Sequence, residues 1–201
     1  MPYAKLVNQL IQALRVLPGI GPRSAQRMAF HLLQQRRGEG LALAKILEKT
    51  LTTIINCKQC RNFSEDDLCS ICTNPKRDSS ILCVVESPVD IVAIEQTHSY
   101  WGRYFTLMGH LSPIDGLGPN EIGAKEFSQL LKAFGTQLQE VIIATNSTVE
   151  GEATAHYLSN IVHELSQAKC TRIAHGIPFG GELEYTDSST LAQALARRIE
   201  M

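Results

Sequence analysis

The run Ile81-Leu82-Cys83-Val84-Val85, closed by Glu86, decides the architecture of this 201-residue chain. Five consecutive apolar residues are too few for a core helix and lack polar alternation, the mark of a strand buried on both faces. A second such run, Val141-Ile142-Ile143-Ala144-Thr145, lies further on, with weaker candidates at 104–107 and 171–174. Helical patterns over about 88–96, 121–134 and 151–167 fall between them. Strands spaced by helices predict a parallel α/β sheet covered on both faces. The Gly- and Pro-rich segment 108–120 reads as an ordered loop.

Upstream the pattern is purely helical. Leu6, Val7, Leu10, Ile11 and Leu14 have helical spacing over 4–16. A turn, Leu17-Pro18-Gly19-Ile20-Gly21-Pro22, interrupts them before a second helix from about Ser24. A third is predicted over 42–55. The charge divides at the same place. Residues 1–62 hold ten Lys/Arg and two acids, a net +8, whereas residues 63–201 hold nine and eighteen, a net −9. The overall −1 therefore conceals a basic segment suited to phosphates and an acidic body.

Between the two lies Cys57-x2-Cys60-x8-Cys69-x2-Cys72. Two Cys-x2-Cys knuckles bring four thiolates to one point, which tetrahedral Zn²⁺ satisfies with no open position for water or substrate. Such an ion is structural, and its binding energy is folding energy for a segment too small for its own core. Paired disulfides or an iron–sulfur cluster are the competing readings. Cys83 and Cys170 sit in strand-like contexts as small apolar residues.

The Gly-Ile-Gly turn opens the second helix with exposed backbone N–H groups and the positive end of its dipole, which suit a phosphate oxygen. Gly19 and Gly21 permit close approach, and Arg23 and Arg27 add charge one helical turn apart. Contacts of this kind position a protein on DNA without reading its sequence. The arrangement resembles the helix-hairpin-helix motif; a plain Pro/Gly corner between packed helices is the alternative, and such hairpins also serve as dimerisation elements.

Glu86 after the first strand, and Asn146-Ser147-Thr148-Val149-Glu150-Gly151-Glu152 after a later one, are similar to the Toprim fold. Its pattern is a Glu followed by Asp-x-Asp-x-Glu, acids that gather Mg²⁺ for phosphoryl transfer. Glu86 and Glu150 match two of them, but Asn146 and Thr148 replace the aspartates and cannot supply anionic oxygens to Mg²⁺. The fold is expected without the catalysis, and a Mg²⁺-dependent nuclease or topoisomerase-like enzyme is the disfavoured alternative. With Glu152, these acids form either a weak metal site or an acidic partner-binding edge; otherwise Glu86 caps a helix and Glu150 and Glu152 occupy the first turn of the next. No catalytic residue is assigned. His110 is the one histidine singled out for DNA or partner contact, in a loop whose chain neighbourhood includes Arg103.

The tail Gly176-Ile177-Pro178-Phe179-Gly180-Gly181-Glu182-Leu183-Glu184-Tyr185 is similar to a Walker B element, yet no G-x4-G-K-[ST] phosphate loop accompanies it. We read it as an assembly element, followed by a helix over 191–199. Taken in order, the hairpin, the four-Cys knuckle, the Toprim-like Thr-Val-Glu-Gly-Glu-Ala-Thr and this tail resemble the RecR family of bacterial recombination mediators over almost the whole chain. The resemblance implies a division into a helix-hairpin-helix domain (1–54), a zinc finger (55–78), a Toprim domain (79–175) and a tail with a C-terminal helix (176–201). It implies a non-enzymatic DNA-repair protein that binds single- and double-stranded DNA, assembles as a ring-like homotetramer, and helps load recombinase onto strands coated by single-strand-binding protein. RecO and RecF are the implied partners, with Glu86 and Glu150 at or near the RecO contact. No run of apolar residues is long enough for a membrane span, and the N-terminus lacks the features of a secretory signal, so a cytoplasmic protein is expected, and the resemblance implies a nucleoid-associated one.

Overall fold

The computed structural model describes residues 3–174, 176–177, 180–196 and 198. His175, the tail's Pro178 and Phe179, and Ile199 at the end of the expected last helix lie outside the described residues. The chain forms two compact units, residues 1–54 and 55–201.

The first unit contains α1 (Lys5–Leu14), α2 (Pro22–Gln34) and α3 (Arg37–Thr53). Ile11 of α1 packs with Ala25 and Ala29 of α2, and Val7, Leu10, Leu14 and Ile20 close around them. The second helix begins earlier than Ser24, because Pro22 at its first position lacks an N–H that the helix would leave unpaired anyway. The third begins at Arg37 rather than 42, where Arg36 and Glu39 form an ion pair of 2.7 Å across the first turn. No residue of α3 is buried: Leu41, Leu43, Ile46, Leu47 and Leu51 are all exposed.

The second unit starts with β1 (Ile55–Asn56) paired antiparallel to β2 (Phe63–Ser64), and α4 (Ser70–Thr73) completes the cysteine-rich lobe. There follow β3 (Asp78–Val85), α5 (Pro88–Gln96), β4 (Gly102–Thr106), α6 (Ala124–Phe134), β5 (Glu140–Ala144), α7 (Val149–Leu165), β6 (Lys169–Arg172) and α8 (Ser188–Ala196). The four longer strands make one sheet in the order β4-β3-β5-β6, every pair parallel. Side chains alternate across it. Leu82, Val84, Phe105, Val141 and Ile143 face one way and join Phe127 and Leu131 of α6 with Leu158 and Val162 of α7. Cys83, Val85 and Tyr104 face the other way, against Ile91 of α5.

Successive connections leave β3 toward β4 on one side, and β5 toward β6 on the other. The carboxyl ends of β3 and β5 therefore flank the topological switch point, where open α/β sheets build their sites. Glu86 and Thr145 are the first residues past those ends. The segment 108–120 is an ordered loop held by reciprocal backbone bonds between Ser112 and Leu117 at 3.0 and 2.9 Å. The last described helix begins at Ser188, three residues ahead of expectation, because Asp187 accepts from the Ser189 and Thr190 amides at 3.1 and 2.9 Å.

One ion pair makes the α5 face sensitive to acid. Arg77, its side chain 8% exposed, pairs through two nitrogens with Glu95, and the Tyr104 hydroxyl donates to the same carboxylate at 2.6 Å. The guanidinium holds the Glu95 carboxyl below its usual 4.5 against the opposing effect of burial. A carboxyl whose folded value is depressed stabilises the fold above its unfolded value, and that contribution disappears as pH falls through the folded one. Glu95→Gln is expected to cost about 2–3 kcal/mol at pH 7, leaving Arg77 without a counter-charge. The gap between variant and wild type should close below pH 4.5 in denaturant titrations, and a gap independent of pH would contradict this account.

Candidate functional site

Three sites emerge, one in the first unit and two in the second. In the first unit the turn after α1 ends with the Ile20 amide donating to the Leu17 carbonyl at 3.2 Å. Gly19 adopts φ +78°, a left-handed conformation that favours glycine. Gly21 does not: its φ of −79° suits any residue, and a Cβ placed there would meet nothing within 4 Å. The fold itself gives no reason for glycine at position 21. Arg23 and Arg27 are exposed on α2, and among the described residues neither has a carboxylate partner. With Gln26, Phe30 and His31 they line a shallow groove.

In the second unit the four cysteines of the paired knuckles converge. Cys57, Cys60, Cys69 and Cys72 are buried, and their sulfurs lie within 4.8 Å of one another. Tetrahedral Zn–S bonds of about 2.3 Å place sulfurs about 3.8 Å apart, so the donor set fits zinc with small adjustment. Among the described residues this is the one cluster of three or more His, Cys, Asp or Glu groups that converges closely enough for a metal ion. Burial pushes the Cys57 thiol up, but N–H groups of Cys60, Cys69 and Gln59 outweigh it and bring it to about 7. Burial raises Cys69 to about 11, and the Cys72 thiol together with burial raises Cys60. Neutral thiols at close quarters resist ionising together, and a divalent cation supplies the missing charge. The knuckle is tied to the sheet: the Thr106 amide donates to the Cys60 carbonyl at 2.8 Å, and Arg103 donates to the Cys72 carbonyl at 3.1 Å. Arg103 thus belongs to the cysteine lobe, and its hydrogen bonds tie it there rather than to His110.

At the switch point Glu86 is 4% exposed. Its Oε1 accepts from the Asn146 backbone N–H at 2.8 Å and its Oε2 from the Asn146 side-chain amide at 2.7 Å. His110 Nδ1 stands 3.4 Å from Oε2. Glu86 caps no helix; the Ser87 amide and the Asp90 carboxylate, 2.7 Å apart, perform that task for α5. Thr148 caps α7, its hydroxyl accepting from the Gly151 amide at 3.1 Å. Both positions that replace aspartates are therefore occupied in holding the loop. Glu150 and Glu152 lie in the first turn of α7, where the helix dipole favours acids. Glu152 pairs with Arg172, which also reaches the Asn146 carbonyl at 3.4 Å. Glu150 is half-buried beside the exposed Val149. Arg172 was not legible as part of this site, since nothing in a short strand end signals a cross-sheet partner.

The comparisons agree with this layout. Family models for the RecR helix-hairpin-helix, the RecR four-cysteine zinc finger, the Toprim domain and the RecR C-terminal segment match residues 7–51, 54–74, 80–174 and 176–199. The chain is 56% identical over 198 residues to the recombination protein RecR of Coxiella burnetii (strain RSA 493 / Nine Mile phase I), covering 98% of this chain and 97% of that protein. Among the described residues no helix is long and apolar enough to cross a membrane. A helical hairpin unit, a zinc finger with four converging sulfurs and a Toprim sheet whose aspartates are replaced, joined in this order, place the chain in the RecR family, to which it belongs.

Proposed function

We propose that this chain is a recombination mediator that binds single- and double-stranded DNA without reading sequence, through Gly19, Gly21, Arg23 and Arg27. The observation that carries the reading is Gly21, a glycine that neither backbone angle nor packing requires, at the start of a helix bearing two arginines with no carboxylate partner among the described residues. Its role is to let a phosphate oxygen approach the α2 amides. Cys57, Cys60, Cys69 and Cys72 hold one structural Zn²⁺ per chain. The chain performs no catalysis of its own: beside Glu86 stand an amide and a capping hydroxyl where a Toprim enzyme keeps aspartates.

RecO and RecF are the partners, and recombinase loading onto strands coated by single-strand-binding protein is the outcome of their joint action. The partner-facing residue at the switch point is Glu150, with Glu86 shaping the loop from inside. Assembly into a homotetrameric ring is supported by α3, whose exposed leucines and isoleucine need a covering surface. The domain division is 1–54, 55–78, 79–175 and 176–201, and the protein works at the nucleoid.

Anisotropy titrations of labelled single- and double-stranded oligonucleotides, repeated over a range of salt, test the DNA site. Arg23→Ala/Arg27→Ala is expected to flatten the logarithmic salt dependence on duplex by about 1.8 per engaged subunit, about 0.9 for each lost phosphate contact. Gly21→Ala should weaken binding by about tenfold while stability stays within about 0.5 kcal/mol. Unchanged affinity in both variants would remove the hairpin as the DNA site.

A further inference from the structure

The zinc knuckle and the switch point are joined by one side chain. Arg61 follows Cys60 directly and adopts φ +62°, a left-handed conformation uncommon for a residue with a Cβ. The knuckle imposes it, since the Arg61 amide closes the first Cys-x2-Cys turn by donating to the Cys57 carbonyl at 2.9 Å. From there the guanidinium crosses to the neck of the loop between β4 and α6. Its Nη1 donates to the Leu107 carbonyl at 3.1 Å and to the Ile122 carbonyl at 2.8 Å. Leu107 and Ile122 are buried at the two ends of the loop, so a single nitrogen draws the ends together. The guanidinium also lies over the Phe105 ring at 5.8 Å. It occupies the space where a side chain at Gly123 would begin: a Cβ there would fall 1.5 Å from Nη1.

The enclosed loop reaches the switch point at its other side. The Gly109 amide donates to the Glu86 carbonyl at 2.9 Å, His110 faces the Glu86 carboxylate, and the Leu111 amide donates to the Thr154 hydroxyl of α7 at 2.9 Å. We infer that Arg61 is a positioning residue through which the folded zinc knuckle sets the conformation of residues 108–121 and, through them, the Glu86 edge of the sheet. The link stands on the geometry of these residues, and only its consequence for a partner rests on the reading of Glu150 given above.

Hydrogen exchange resolved by peptide, on the full chain with zinc bound, tests it. Arg61→Ala is expected to keep one zinc per chain and normal protection in β3 and β5, while amides of 108–121 exchange about tenfold faster. Arg61→Lys, whose ammonium reaches the carbonyls without the planar fork, should fall between variant and wild type. Wild type stripped of zinc by a chelator should loosen the same segment, and stripping Arg61→Ala should add nothing there. Wild-type protection of 108–121 in Arg61→Ala, a lysine variant no better than alanine, or an unchanged loop after zinc removal would each overturn the proposal. A loosened loop with undiminished RecO binding would leave it standing and remove the partner reading instead.

Discussion

Cys60→Ser is expected to abolish zinc binding and to lower the unfolding midpoint by about 10 °C, the shift that a loss of several kcal/mol produces in a chain of this length. Structural zinc binds zinc-finger peptides with about 10–16 kcal/mol of apparent standard-state energy, of which the part that stabilises the fold depends on the free zinc level and is several kcal/mol when free zinc is about a thousandfold above Kd. A serine hydroxyl does not ionise near neutral pH and leaves three buried thiols to repel one another once charged. The loss spreads, because the Cys60 carbonyl accepts from the Thr106 amide at the end of a sheet strand. Cys83→Ser is the control. Cys83 is equally buried, its thiol pushed up to about 12 chiefly by burial, but it packs in the sheet against Ile91. That variant should retain full zinc and lose about 1–3 kcal/mol, the cost of burying a hydroxyl without a partner. Metal analysis with thermal unfolding separates the two, and full zinc occupancy in Cys60→Ser would sink the four-thiolate site.

Gly151→Ala is expected to destabilise the second unit by about 3 kcal/mol or more, at the upper end of what overpacking costs. A Cβ at this position would stand 2.1 Å from the Asn146 carbonyl oxygen and 3.0 Å from Glu86 Oε1. The nearer obstacle is backbone, which cannot turn aside as a flexible side chain would. To admit the methyl, the first turn of α7 must lift away from the loop after β5, breaking the Gly151 amide bond to Thr148 and the 2.8 Å bond from the Thr145 hydroxyl to the Gly151 carbonyl. Denaturant unfolding should register the loss, while zinc content and DNA affinity stay at wild-type values. The contrast with Gly21→Ala is the point: one glycine serves the fold, and on the proposed reading the other serves a ligand. A Gly151→Ala variant within about 0.5 kcal/mol of wild type would mean that α7 enters the switch point differently.

The strands and the metal ligands were legible because short-range pattern determines them. The apolar runs 81–85 and 141–144, too short for core helices and without alternation, read as strands covered on both faces, and two Cys-x2-Cys pairs state their own geometry. Boundaries shifted where polar or conformationally special residues carry the element. Strand β3 extends back to Asp78 through two serines, and α6 waits for the left-handed Gly123. The third helix was legible from its apolar spacing, but that spacing could not show that none of its residues would be buried. The partners of Glu86 were out of reach for another reason. Asn146 lies 60 residues away, and the Arg61 ties span 46 and 61 residues. Replacement of an aspartate by Asn146 reads as a loss when only metal chemistry is considered; its amide proves to be a donor to the acid that remains.

That donor changes what the site depends on. An enzyme of this fold borrows its counter-charge from solution, so its carboxylates answer to ionic supply and to whatever competes for it. Here both Glu86 oxygens accept from the Asn146 backbone and side-chain amides, and the His110 ring stands 3.4 Å away, all within the same chain. This edge of the sheet is therefore tied together by groups 24 to 60 residues apart along one chain, so its shape is a product of the whole second unit's folding rather than of any local segment.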